Sequence, residues 1–466
     1  MQRASLAALI GLLFHFVSFW VFGTPLLTDL IAEWIMARTP SRYALWILDT
    51  FGTWAKPFAA TGGLAVLGAV LWAASFFRRP ARIVAACAVL SSALTWLLDY
   101  PSLAGALFFW LPAMAVLLWP GGEAITPSVA SRRSFLLSSI MSAGTAAVAV
   151  ESYLRNEAFS RKAAVSVPLD PFTPPVEQGK FAPPIVRPAV TSVNEFYGMS
   201  KNTVDPVIDP DIWRLRITVD GKPLRQYRYS ELLGLPRTQR YATLRCISNT
   251  LRSNLMGNAL WSGIHFSQLV DRAQLPAGVV EAAVIGVDGH GDSYPLEYVF
   301  SEHAMLALGM NGKTLNRTHG FPIRLLAPRY FGFKSVKWID EIRFVTQPYF
   351  GTWPKMGYTK EARVHTFSYI DRILESEQGF QVGGIAVAGD RGIRRVQIRA
   401  DQGDWIDAEL EAPLSPYTWT RWRGLIPLKA ATTVEARAQD GLGNWQATEE
   451  SPLFPSGVSG PTIRRI

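Results

Sequence analysis

A chain of 466 residues, 49% of them hydrophobic and with a net charge of +9, is too long for one ordinary domain. The excess of base over acid does not point to nucleic acid, because Arg78, Arg79, Arg82, Arg132 and Arg133 flank apolar segments and no Lys/Arg run with interleaved aromatics follows them. Two cysteines, Cys87 inside an apolar stretch and Cys246 far downstream, exclude a disulfide framework and any Cys-rich zinc or iron–sulfur site.

Composition divides the chain near residue 151. Before it, Ala, Leu, Trp, Phe and Val dominate; after it, the mixture is that of a water-soluble protein. Stretches 5–23, 58–77, 83–99, 103–119 and 135–151 approach the roughly 20 apolar residues a bilayer-spanning helix requires. They predict an all-α transmembrane anchor over 1–151. With Arg3 inside, the FFRRPAR and SRRS turns also fall inside and everything after residue 152 falls outside. That predicts a multi-pass protein of the cytoplasmic (inner) membrane with its soluble part on the extracytoplasmic side. LLTDLIAEWIMAR in the first outer loop reads as an interfacial amphipathic helix. The fifth stretch opens Ser131-Arg132-Arg133-Ser134-Phe135-Leu136, which resembles a twin-arginine export signal placed internally, or else is an ordinary positive-inside pair. Export of already folded proteins predicts a buried cofactor downstream.

Residues 152–192 include a Pro-rich stretch, with FTPPVEQ and FAPPIVRP, and predict an extended linker or wrapping arm. In WRLRITVD the residues Trp213, Leu215, Ile217 and Val219 alternate with polar ones as in a half-buried strand, and Asp220-Gly221 turns the chain. Ser230 and Ser267 are candidate N-caps of two short helices. Short strands and helices mix over 193–350, an α+β pattern. From about 375, RRVQIRAD, DWIDAELEA and TVEARAQD alternate at period two, which predicts an all-β sandwich within 351–466.

The chemistry concentrates in Tyr241-Ala-Thr-Leu-Arg-Cys246-Ile-Ser-Asn-Thr250, followed by Gly257-Asn-Ala-Leu-Trp261-Ser-Gly-Ile264. This is a strand ending in a thiol that could be a nucleophile, a metal ligand or a buried cysteine. Around it, in order, stand Asn194-Glu-Phe-Tyr197-Gly198, Val287-Asp288, Met310-Asn-Gly312, His319-Gly-Phe-Pro-Ile-Arg324 and Phe333-Lys-Ser335-Val336-Lys337-Trp338. Together these segments resemble the sulfite oxidase family of molybdopterin-dependent oxidoreductases over most of residues 190–450. The resemblance implies a sulfite-oxidase-like α+β domain and an Ig-like dimerisation domain carrying GYTKEARVHTFSYIDRI and GGIAVAGDRGIRRVQIRAD. The latter would permit a homodimer.

The same resemblance implies a molybdenum–molybdopterin cofactor with Cys246 as the metal's protein ligand, where a soft thiolate joins two dithiolene sulfurs. Asn194, Tyr197, Gly198, Asp288, His319, Arg324, Ser335, Val336 and Lys337 would hold the pterin, with Arg324 and Lys337 on its phosphate. Taken singly, Asp288 would read as a turn cap and His319 as a loop histidine. Tyr294 would be the substrate-pocket tyrosine and Arg391 a substrate-facing arginine. Where sulfite-oxidising members carry an arginine after the Phe-aromatic pair, this chain has Gly198. The expected activity is two-electron oxygen-atom transfer to a small oxyanion such as sulfite. The alternatives are reduction of an S-oxide or N-oxide on the same fold, or a receptor or assembly protein without cofactor. No Cys-x-x-Cys-His is present and the apolar segments hold only His15, so electrons would pass to a separate protein or quinone-linked partner.

Overall fold

The computed structural model describes residues 166–466 apart from 178, 203, 204, 428 and 429. The five apolar stretches, LLTDLIAEWIMAR, Cys87 and the Ser131–Leu136 motif lie outside the described residues, among which no helix is long and apolar enough to cross a membrane. Residues 163–466 form one compact unit.

The α+β part holds two sheets around one core. The first has the strand order Lys222–Arg228, Arg214–Val219, Ile339–Val345, Glu281–Gly286 and Gly291–Pro295. Within it Arg214–Val219 runs parallel to Ile339–Val345, with Ile217 opposite Ile342. Leu215 and Ile217 are buried while Arg216 between them is exposed, as the alternation in the sequence requires.

The second sheet orders Thr238–Arg245, Met256–Ile264, Met305–Met310 and Lys313–Thr314, with Arg324–Leu326 also paired to Met305–Met310. Every residue of Met256–Ile264 is buried, and Trp261 fixes its neighbour by donating from its indole nitrogen to Ala242 O at 3.1 Å. The two predicted helix caps each shift by two residues. Tyr229–Leu233 is capped at Arg228 and Phe266–Gln268 at His265. In each case the side chain three residues on reaches back to the cap N–H (Glu231 at 2.6 Å, Gln268 at 2.8 Å), so no serine hydroxyl is needed.

The C-terminal residues form two four-stranded sheets. One orders Phe367–Ser376, Gly379–Val387, Thr420–Ile426 and Glu409–Leu410; the other orders Ile406–Asp407, Ile393–Ala400, Thr433–Asp440 and Thr462–Arg465. Ile370, Val382, Ile398, Trp422, Val434 and Ala436 fill the space between them. Thr433–Asp440 alternates half-buried and buried along its whole length. Gly384 is forced by packing, because a Cβ there would overlap Tyr369 O and lie 2.7 Å from Trp422 Cζ2. Gly384→Ala is therefore expected to cost about 1–3 kcal/mol. The loss should appear as a lower thermal midpoint; an unchanged midpoint would mean that the two sheets yield more easily than their packing implies.

The Pro-rich segment is a wrapping arm rather than a spacer. Thr314 N donates to Val167 O at 2.8 Å, Asp170 pairs with Arg237 at 3.1 Å, and Arg187 Nε donates to Asp371 at 2.8 Å. Val186 enters a small core with Met256, Phe367 and Trp419. The edge strand Thr238–Arg245 is covered by the 415–419 turn, where Thr243 N donates to Tyr417 O at 3.0 Å and Trp419 N to Thr243 Oγ1 at 2.8 Å. The last residues of that strand are thereby held between the two halves of the unit.

Candidate active site

The strand Thr238–Arg245 delivers Cys246 to a tight polar loop. Cys246 N donates to Leu255 O at 2.9 Å and Asn249 N to Cys246 O at 3.1 Å. Buried Asn249 accepts from Leu255 N at 2.6 Å, and Thr250 and Ser253 exchange hydroxyl–amide bonds at 2.7 and 3.1 Å. The loop is thus held by its own polar groups around the thiol. Cys246 is 6% exposed and unpaired. Burial pushes its thiol up, opposed by hydrogen bonds from Ser248 and by the nearby Arg245 charge.

Above the loop, Phe196 stacks on Tyr197 at 5.4 Å and meets Trp261 and His319 edge-on at 5.6 and 5.5 Å. The Tyr197 hydroxyl rests against the Cα of Gly332, where a Cβ would overlap it. Burial raises its pKa, the Cys246 charge raises it further, and Arg324 lowers it. Tyr197, Cys246, Arg324 and Gly332 therefore share one neighbourhood. Gly198 is exposed, and any side chain begun there would meet Thr318 Cγ2 at 2.5 Å, so the position has no room for an arginine without displacing Thr318.

His319 is buried and donates from Nε2 to Val193 O at 2.8 Å, which ties the turn carrying Phe196 and Tyr197 to the second sheet. Burial first, then Arg324 and Lys337, lowers its pKa to about 4. A histidine whose folded pKa lies below its unfolded value of about 6.5 contributes full stability above 6.5 and loses it as pH falls toward 4. About 2 kcal/mol of unfolding free energy should be lost between pH 7.5 and 5 through this group. Denaturant midpoints at both pH values test it, and His319→Gln should flatten the difference; an equal pH slope in the variant would place the acid sensitivity elsewhere.

Arg324 is 5% exposed and lies over the Trp261 ring at 5.1 Å. It donates to His319 O and Ser335 O, both at 3.1 Å, while among the described residues its buried Nε has no partner and no carboxylate pairs with it. Ser335 and Val336 are buried beside it. Half-buried Lys337 donates to Thr318 O at 2.9 Å and covers Trp338 at 4.0 Å. Asp288 caps its own turn through His290 N at 3.1 Å and also accepts from Asn202 at 2.8 Å. Asn194 stands exposed on the turn before Phe196.

Two predicted site residues are held by other protein groups. Tyr294 is wholly buried in the main core, and its hydroxyl donates to Lys334 O, so it faces protein on all sides. Arg391 pairs with Asp440 at 2.8 Å and donates to Val364 O and Thr366 Oγ1. It lines a cavity of about 480 Å³ with Arg363, His365 and Trp445. Asp440, a backbone carbonyl and a threonine hydroxyl hold it at the wall of that cavity.

Two residues near the thiol were missed. Arg245 is 1% exposed, donates to Val458 O at 3.1 Å and Asn249 O at 3.3 Å, and lies over Phe367 at 4.1 Å with Nε and Nη1 unpartnered. The Tyr358 hydroxyl has its pKa raised by burial and by the Cys246 charge. The available signal for Arg245 was an arginine inside an otherwise apolar strand end.

No group of three or more His, Cys, Asp or Glu residues able to hold a metal occurs among the described residues. A metal at Cys246 must therefore bring most of its own ligands. A buried guanidinium with an unpartnered Nε and no carboxylate suits an anionic group on that ligand. A pterin dithiolene with a terminal phosphate meets both demands.

Comparison with known proteins agrees. Residues 202–353 match the model of the oxidoreductase molybdopterin binding domain. Sulfite oxidase of Arabidopsis thaliana is 25% identical over 354 residues, covering 60% of this chain and 88% of that protein. Mitochondrial sulfite oxidase of Homo sapiens is 24% identical over 304 residues, covering 53% of this chain; the match spans only 56% of the human protein. The sulfane dehydrogenase SoxCD of Paracoccus pantotrophus superposes with a TM-score of 0.49 at 22% identity, covering 55% of this chain and 74% of that one. The matched domain includes the strand that delivers Cys246 and the loops that carry Arg324 and Lys337, so this part of the chain is similar to the molybdopterin binding domain of oxidoreductases and to sulfite oxidases.

Proposed function

We propose that this oxidoreductase holds molybdenum through Cys246 and transfers an oxygen atom to or from a small oxyanion, with sulfite as the leading substrate. The observation that carries the reading is a buried thiol with no cluster of protein metal ligands among the described residues, linked through Tyr197 to a buried arginine that has no acid partner among them. When bound, the cofactor supplies the two-electron couple and the oxygen exchange with water. The chain's own residues do the rest. Arg324 and Lys337 place positive charge for the phosphate, and the Ser335–Lys337 backbone shapes the same wall. His319 stays neutral near pH 7 and orients the Phe196–Tyr197 turn through Val193. Tyr197 and Tyr358 hold their protons and can donate them toward a negatively charged group near the thiol.

The opposite direction, reduction of an S-oxide or N-oxide, is the second reading. Its support is Gly198: with no guanidinium there, a neutral substrate loses less than an anion does. Sulfite-dependent reduction of an artificial acceptor by molybdenum-loaded protein supports the first direction. Methionine-sulfoxide-dependent oxidation of a reduced dye without any sulfite activity would replace it with the second. The cofactor-free receptor reading is set aside by the domain match.

The proposal also includes an extracytoplasmic catalytic unit on a multi-pass anchor at the inner membrane, delivered by the internal twin-arginine motif, and a separate electron-transfer partner. The support is the arginine distribution around 78–82 and 132–133 and the absence of a haem motif. Reporter fusions after residues 80, 100 and 152 test the topology. The two C-terminal sheets would act as an Ig-like dimerisation domain, which the mass of the detergent-solubilised protein checks.

A further inference from the structure

The loop Gly332–Lys337 is gripped from two sides. His290 Nε2 donates to Phe333 O at 2.9 Å and the Tyr294 hydroxyl donates to Lys334 O, both from the turn and strand around Gly291–Pro295. From the other side Ala327 N donates to Ser335 Oγ at 3.2 Å and Arg324 to Ser335 O at 3.1 Å. Between these grips Lys334 is 2% exposed, with its ammonium directed at Asp292.

An ammonium has three protons to give. Those of Lys334 meet Asp292 Oδ1 at 2.6 Å, Ser293 O at 3.1 Å and Lys360 O at 3.1 Å. None remains for a phosphate. Asp292 is wholly buried, accepts from Ser293 N at 2.8 Å and keeps Oδ2 without a partner, and among the described residues Lys334 is the cation paired with it. Gly351 packs so closely that a Cβ there would lie 3.0 Å from Asp292 Cγ, so only glycine fits against the carboxylate. The third acceptor, Lys360 O, belongs to the segment just after Tyr358, and Lys360 itself pairs with Glu281 at 2.6 Å. One buried charge pair thus joins the first sheet, the Gly332–Lys337 loop and the segment that brings Tyr358 toward Cys246.

We propose that Lys334 is a positioning residue: through Asp292 it holds the Gly332–Lys337 loop in the shape that retains the pterin cofactor, without contacting the cofactor itself. This rests on the reading of that loop as the cofactor's phosphate-side wall. It divides the two lysines of Phe-Lys-Ser-Val-Lys, one internal and committed, the other half-buried over Trp338. A buried pair opened at one end leaves an uncompensated charge, whereas replacing both ends with neutral groups of similar volume does not.

The test uses the full chain purified from a cofactor-competent host, as wild type, K334M, D292N and K334M/D292N. Pterin content by fluorescence after oxidation, and molybdenum by elemental analysis, are read after dialysis well below each variant's thermal midpoint. The single variants are expected to retain at least fivefold less cofactor than wild type. The double variant is expected to recover to within twofold of wild type, because Met follows the lysine stem and Asn leaves no charge. If the double variant stays as empty as the singles, Lys334 is itself a cofactor ligand and the proposal is overturned. Single variants that hold wild-type occupancy would overturn it too, leaving the pair a purely structural contact. Should K334M fail to fold, D292N against the double variant carries the same comparison. Wild type purified without molybdenum or pterin would instead remove the cofactor reading of the loop, a result separable from all of these.

Discussion

Cys246→Ser is expected to give a folded protein whose oxidoreductase activity falls by about 10³-fold or more, the scale seen when a group acting at the reacting centre is removed. The exchange is nearly isosteric, and the surrounding loop is held by Asn249, Thr250, Ser253 and Leu255 rather than by the sulfur. Folding should therefore survive with a small change in midpoint. A hard alkoxide does not replace a soft thiolate on molybdenum, so the metal content should fall further than the pterin content. Circular dichroism, elemental analysis and pterin fluorescence on the same preparation separate these effects. A serine variant with wild-type activity would show that Cys246 is a buried core residue and not a ligand.

Arg324→Met is expected to separate stability from cofactor retention in opposite directions. In the cofactor-free protein, Arg324 is a buried cation with an orphaned Nε and no acid, and burial pulls its pKa down to about 10. Removing such a charge while filling its volume should leave the cofactor-free midpoint unchanged or slightly raised. The cost is two freed carbonyls, His319 O and Ser335 O, at roughly 1 kcal/mol each. Cofactor retention should nevertheless drop at least tenfold, since a charge-assisted bond to phosphate is worth about 1.5–3 kcal/mol. Thermal unfolding of the cofactor-free form and pterin content of the loaded form are the two measurements. A variant that loses stability but keeps its pterin would reassign Arg324 to the core.

Much of the fold was legible because it depends on local pattern. Leu215, Ile217, Val434 and Ala436 announce half-buried strands by period two, and the structure buries them as that period demands. The candidate site was legible as an ordered set of short motifs, of which Tyr197, Cys246, Arg324 and the Ser335–Lys337 loop come together. The caps at Arg228 and His265 were misplaced because serine hydroxyls compete there with a Glu or Gln three residues into the helix, and the longer side chain reached the backbone first.

Tyr294 and Arg391 are held by partners that the sequence did not show, for a reason that applies to Arg245 and Lys334 as well. Whether a tyrosine lines a pocket or a core depends on what lies opposite it. Tyr294 meets Lys334 across 40 positions of chain, and Arg391 meets Asp440 across 49. Arg245 reaches Val458 across 213. A pairing over that distance leaves no trace in a window of sequence, so a buried, committed charge and an exposed ligand look the same when read in order.

Cys246 was singled out by its neighbours along the chain, since a thiol at a strand end leaves its chemistry open until the ordered motifs around it narrow the choice. The partners of the charges around it are a different matter. Burial decides whether a cation is spent on the protein or left for an anion, and burial is a property of the packed whole. Folding sorted Arg324, without an acid, from Lys334, held by Asp292, although both stand in motifs of similar composition.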